Sequence, residues 1–158
     1  MMCGGKEMKR LLGFGCILLV LGFACVARGG QTEDVEALVE QGLAMFKEKG
    51  RKLTLEAIND KKGPFIKGDL YVFAFSLNNE LLAQPYDFSI RRINLNNFKD
   101  ASGFAVFKRF KEVVENQGSG WVEYSWVKPG SDKPSRKKSF VKRVPEQDLY
   151  IGAGYYLE

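Results

Sequence analysis

The side chains that most often do chemistry near neutral pH are absent from this sequence or confined to one end of it. There is no histidine, which removes the usual general base and the commonest metal ligand together. The three cysteines, Cys3, Cys16 and Cys25, all precede residue 26, so the body of the chain has no disulfide, thiolate nucleophile or thiolate zinc ligand. The carboxylates Asp60, Asp69, Glu80, Asp87, Asp100 and Glu123 are scattered without paired spacing, and no glycine loop of the phosphate-cradling kind is present. Turnover would have to rest on carboxylates, Lys, Tyr or Ser alone. No catalytic residue, metal site or cofactor is expected, and the chemistry that remains is that of binding.

A small anion held in a mostly apolar pocket needs one or two cationic or N–H donors and a close-fitting aromatic wall. Lys138, on a strand face with Phe140, is the first candidate for the cation. Arg91 and Arg92 lie in an irregular stretch from which a guanidinium fork could close over a carboxylate. Tyr71, Phe73, Tyr124 and Trp126 fall on consistent strand faces, and Tyr86 follows Pro85 into the irregular stretch. Tyrosine and tryptophan pair an apolar body with a polar tip, which suits a wall that also hydrogen-bonds. Each candidate has a plainer alternative: a solvated surface cation for Lys138 and the arginines, core packing for the rings. Gly152 and Gly154 leave one face of the last strand bare, so either a ligand or the long helix approaches closely there.

The elements that must position these residues follow from periodicity. Val35, Leu38, Val39, Leu43 and Phe46 recur at spacings of three and four, which predicts a helix over 32–49 with Thr32 as N-cap and Gly50 as its stop. A shorter helix is expected over 52–59, then a breaker segment ending in Gly63-Pro64. Residues 70–76 (Leu-Tyr-Val-Phe-Ala-Phe-Ser) read as a strand buried on both faces, turned at Asn78-Asn79 into a partner strand over 80–84. Residues 86–99 form a long polar-aromatic excursion of the kind that often carries function. A helix over 103–117 follows, capped by Asp100 or Ser102, with Phe104, Phe107, Phe110, Val113 and Val114 on its buried stripe. Strands are expected over 121–128, 137–144 and 149–157. The fold class is α+β: a long N-terminal helix packed on a five-stranded antiparallel sheet.

The N-terminus reads as an address. Lys9-Arg10 precede an uncharged apolar run, Leu11 to Val26, and small residues then lead to Arg28. This is a secretory signal pattern with cleavage after Ala27, which assigns residues 1–27 to a signal peptide and 28–158 to one exported domain, periplasmic or secreted. A lipid-modified Cys25 and an uncleaved anchor are the alternatives. The net charge of +5 raises nucleic acid as a partner, but acidic residues are interspersed nearly everywhere. The one dense basic run, Arg136-Lys137-Lys138 with Lys142 and Arg143, reads as a solvated surface.

Taken in order, several segments resemble the single Cache domain family of PAS-like extracellular sensors. They are Gly63-Pro64-Phe65, Gly68-Asp69-Leu70-Tyr71-Val72-Phe73, Leu82-Ala83-Gln84-Pro85 and Asp100-Ala101-Ser102-Gly103, then Gly118 to Trp126, Lys138-Ser139-Phe140-Val141 and Gly152-Ala153-Gly154-Tyr155-Tyr156. The resemblance implies a PAS-like sheet and a pocket between the sheet and the excursion. It also implies a small organic ligand there, a short carboxylate in the first instance. Lys138 matches the family's Lys-x-Tyr-Val pattern. Gln84 stands where the family often has His, and Phe140 where it often has Tyr. Family members are usually outer parts of chemoreceptors and histidine kinases. With no second apolar run and no signalling module here, a signal is expected to pass through a separate membrane receptor or kinase partner, or the protein acts as a carrier. A homodimer through the long helix, and a protein-interaction domain with a degenerate pocket, are the remaining alternatives.

Overall fold

The computed structural model describes residues 30–86, 90 and 95–157. The proposed leader, residues 1–27, and the arginines Arg91 and Arg92 lie outside the described residues. The first element is α1, Gln31–Asn59, whose helical path is interrupted at Gly50 by a backbone of φ 76° and ψ 176°. The two helices expected from periodicity are therefore two arms meeting at that glycine, which adopts a left-handed φ without a Cβ penalty. Thr32 does not cap the helix: Gly30 occupies that position, and no side chain caps it.

The strands are β1 Ile66–Lys67, β2 Leu70–Ser76, β3 Leu81–Ala83, β4 Ser119–Val127, β5 Pro134–Arg143 and β6 Leu149–Tyr156. All pairings are antiparallel, in the order β1-β2-β6-β5-β4, with β3 also on β2. The sixth strand beyond the expected five is the two-residue β1, too short to show a period. It pairs with the start of β2 (Lys67 with Leu70), while β3 pairs with its end (Ala74 with Ala83). The hairpin between β2 and β3 turns at Asn79, which takes a φ of 60°. Asn79 is fixed there by its own carboxamide, which donates to Asn96 Oδ1 and accepts from Tyr150 Oη.

Helices cover both faces of this sheet. Val35, Leu38, Val39, Phe46 and Ile58 of α1 pack on Val72, Ala74, Ile151 and Ala153 on one face. On the other lie Tyr71, Phe73, Phe75, Val122, Tyr124, Val141 and Tyr150, covered by α2 (Val106–Asn116) and the excursion. Every residue of β2 is buried because it is the strand flanked by both layers, as its unbroken apolar run implies. The second helix begins three residues later than expected, and Phe104 projects outward, 38% exposed, instead of joining the buried stripe. Ion pairs Lys67–Asp34 (2.7 Å) and Lys142–Glu40 (2.6 Å) tie α1 to the sheet margins.

The glycines of β6 face the second layer, and their close neighbours are the adjoining strands and not the long helix. A Cβ on Gly152 would stand 2.6 Å from the Phe73 ring, and one on Gly154 would collide with Ser139. Phe73 and Ser139 thereby sink against the sheet, which opens room for the rings stacked above them.

Candidate functional site

A cavity of about 420 Å³ opens between the second face of the sheet, the excursion and the loop joining β4 to β5. Its aromatic wall is built from three elements. Tyr71 comes from β2, Tyr86 from the segment after β3, and Trp126 from the end of β4. Tyr86 meets Tyr71 edge-on at 5.2 Å, while Trp126 packs against Phe98 and Phe107. Strand alternation puts Tyr124 and Trp126 on one face of β4, but only Trp126 reaches the cavity.

Tyr124 and Phe73 lie behind that wall, in the core. Phe73 is stacked on Phe110 at 5.7 Å with 14° between planes, and is 3% exposed. Tyr124 packs edge-on against Phe110, and its hydroxyl shares a 3.0 Å hydrogen bond with Ser139 Oγ. Burial, reinforced by Tyr71 and Tyr150 nearby, pushes the Tyr124 phenol well above the ordinary tyrosine value, with the Ser139 hydrogen bond opposing. It stays neutral at any physiological pH.

Lys138 lies on the opposite face of the sheet from the cavity. Its ammonium sits 3.8 Å from Glu123 Oε1 and 5.6 Å from the Trp121 ring, next to α1. Phe140 is on that face too, 5.3 Å from Trp121, so the Tyr-to-Phe departure at this position does not touch the cavity. Successive residues of a strand point to opposite faces, and the cation on the cavity side is Lys137. Lys137 is fully buried. Its Nζ has no hydrogen-bond partner among the described residues, and it lies 3.9 Å from the centre of the Tyr71 ring and 5.0 Å from that of Tyr156. Burial pushes its pKa below the ordinary lysine value, with Tyr71 opposing in part. Lys137 does not itself line the cavity: it meets the wall only through the Tyr71 ring, which the two share.

A second orphan donor belongs to Gln84, which lines the cavity and is 2% exposed. Its backbone N–H donates to Asn59 Oδ1 at 3.0 Å, but its side-chain Nε2 has no hydrogen-bond partner among the described residues. Buried donors left unmade cost free energy, so Gln84 on the cavity wall, with Lys137 behind the Tyr71 ring, marks a place that favours an acceptor.

The one cavity-lining carboxylate is already in use, among the described residues. Asp100 Oδ1 accepts the N–H groups of Ser102 and Phe104, both at 2.9 Å, and the Ser102 hydroxyl at 2.6 Å. Its Oδ2 accepts the N–H of Ser125 at 2.6 Å. Burial would raise this carboxyl, but the four hydrogen bonds outweigh it and hold the pKa below the ordinary value. The residue expected to cap a helix instead bolts the end of the excursion to β4. Lys99 and Lys128 stand on the cavity rim, and Lys128 is paired with Asp69 at 2.6 Å.

A curated relative, the methyl-accepting chemotaxis protein McpP of Pseudomonas putida KT2440, is 29% identical over 90 residues, covering 57% of this chain and 16% of that protein. The chain therefore spans under a fifth of that relative's length. Among solved structures, a periplasmic sensor domain of a chemotaxis protein matches with a TM-score of 0.66 at 28% identity, over 80% of this chain and 90% of that one. A Cache chemosensory domain described for its carboxylic acid recognition has the same fold, with a TM-score of 0.64 at 22% identity, over 80% and 88% of the two chains. The Cache domain profile matches residues 39–158, the span that holds the sheet, α2 and every wall of the cavity. The chain belongs to the Cache domain family.

Proposed function

We propose that the cavity beside Tyr71 binds a short organic carboxylate without transforming it, and that the protein is an exported sensor or carrier domain. One observation carries this reading: a fully buried ammonium with no acceptor, Lys137, set against the ring that walls the cavity. A carboxylate would supply a partner for Gln84 Nε2 and, by turning the Tyr71 ring aside, that acceptor for Lys137, while Tyr86 and Trp126 would enclose the apolar tail. The carboxylic acid recognised by a Cache relative of the same fold is consistent with it. Residues 1–27 act, on this reading, as a leader, and residues 28–158 as one sensor unit. Its signal passes to a separate receptor or kinase partner, and a homodimer through α1 is the form in which we expect it to work.

The test is a thermal melt of the protein against C2 to C6 monocarboxylates, dicarboxylates, amino acids and amines. A ligand at 100 times its Kd should add ~2.7 kcal/mol, worth roughly 8–13 °C for a domain of this size. A shift confined to carboxylates supports the reading, and a shift confined to amines refutes it. Silence across the panel favours the alternative of a protein-interaction domain with a degenerate pocket.

A further inference from the structure

We propose that carboxylate binding at this site is coupled to uptake of one proton by Lys137, so that the domain responds to anion and proton together. The inference rests on the carboxylate reading above and adds to it a stoichiometry and a pH dependence. Its basis is the surroundings of the amine. Lys137 leaves β5 between its register partners Tyr124 on β4 and Tyr156 on β6, under Tyr71 and Phe73 of β2. The titratable groups facing it are therefore three phenols. No carboxylate pairs with it, and its Nζ makes no hydrogen bond among the described residues. Beyond Tyr156 lie Lys128 and Asp69, paired with each other at 2.6 Å.

An unpaired ammonium this deeply buried is disfavoured, and the usual response is to lose its proton. The ring of Tyr71 offers a cation–π contact, which offsets part of that cost and does not replace a counter-ion. Burial correspondingly lowers the pKa of Lys137. A carboxylate that turns the Tyr71 ring aside reaches the amine from the cavity, and the ion pair then restores the charged form. The balanced step is R–COO⁻ plus the neutral amine plus H⁺ from solvent, giving R–COO⁻ against R′–NH₃⁺. Tyr124, Tyr156 and Asp100 do not take that proton near neutral pH. Tyr124 and Tyr156 are already protonated, with pKa values pushed up by burial. Asp100 is held ionised by four hydrogen bonds. The ligand itself remains a carboxylate across this range.

The experiment is isothermal titration of the protein with acetate, propionate and butyrate, at one pH between 7 and 8, in buffers of differing ionisation enthalpy. The expected result is an observed enthalpy that changes linearly with buffer ionisation enthalpy, its slope giving net uptake between a fraction of a proton and one per ligand. Affinity should then fall by up to tenfold per pH unit above the free-state pKa of Lys137. Lys137→Arg, whose guanidinium never deprotonates, should bind with zero slope. A bound carboxylate with zero slope in the unmodified protein overturns this proposal and leaves the carboxylate reading standing. Absence of binding by every acid overturns both. A slope unchanged in Lys137→Arg overturns the assignment to this residue. Should that variant not fold, ¹³Cε-lysine NMR of the unmodified protein decides. One lysine titrating below the others and regaining the charged shift with propionate supports the proposal, and all lysines titrating together overturns it.

Discussion

Replacing Lys137 by methionine should make the protein more stable while removing its affinity for carboxylates. The side chains have similar length, and the amine end lies in a seat of rings: Tyr71, Phe73 and Tyr156, with their centres 3.9, 5.8 and 5.0 Å from Nζ. A thioether suits such a seat. Removing a buried donor that makes no hydrogen bond relieves ~1–3 kcal/mol. The cation–π contact that is lost is worth ~0.5–2 kcal/mol, and only to the charged form. The balance favours methionine by roughly 1 kcal/mol, or about 3–5 °C in Tm, at neutral pH.

The pH dependence gives this a sign. The folded pKa of Lys137 lies below the ordinary 10.5, so between the two values the unfolded chain binds more protons. Stability of the unmodified protein therefore rises with pH through that window, by at most ~1.4 kcal/mol per unit from this group. The penalty is full below the folded pKa and has vanished above the unfolded one. The advantage of Lys137→Met should shrink accordingly as pH rises toward 10.5. Paired thermal and urea melts at pH 6, 8 and 10 measure it, with the carboxylate panel as the binding readout. A variant that is less stable at every pH would show that Lys137 supports the fold, and the argument for an unpaired binding group would be refuted.

Three further outcomes follow from the geometry. Asp100→Ala strands the N–H groups of Ser125 and Phe104 and should cost ~2–4 kcal/mol in a urea melt. Because the Asp100 pKa is depressed, its contribution is present above the ordinary carboxyl value of 3.8 and lost as pH falls through the folded value, so this variant should flatten the acid limb of the stability curve. Gly152→Ala drives a methyl into the Phe73 ring at 2.6 Å and the Phe140 carbonyl oxygen at 2.8 Å, and should lower stability by about 3 kcal/mol in the same assay. Tyr124→Phe loses one hydrogen bond to Ser139, about 1 kcal/mol of stability, and should leave carboxylate affinity within twofold by calorimetry because the ring stands behind the cavity.

Local pattern alone carries most of the architecture. The run from Leu70 to Ser76 announces a strand buried on both faces, the apolar spacing from Val35 to Phe46 a helix lying on a sheet, and Gly50 the break in it. Each of these depends on neighbours a few residues away, and the structure has all three. Of the five rings that local pattern singles out, Tyr71, Tyr86 and Trp126 line the cavity, while Phe73 and Tyr124 lie in the core. What the sequence could not state is which face of β5 meets the cavity. Both faces of that strand carry a lysine followed two residues later by a small or apolar group, Lys137 before Ser139 and Val141, Lys138 before Phe140. A step of one residue exchanges the faces, so the pattern permits either cation. Pairing with β4 and β6 settles it, placing Lys137 among Tyr71, Tyr124 and Tyr156, and Lys138 with Glu123 and Trp121. Asp100 is similar: in the sequence it is one carboxylate among many, and its role exists only because β4 returns Ser125 to within 2.6 Å of it across 25 residues of chain. Long-range proximity of this kind is a property of the folded sheet, since no local spacing encodes how far a chain travels before it comes back.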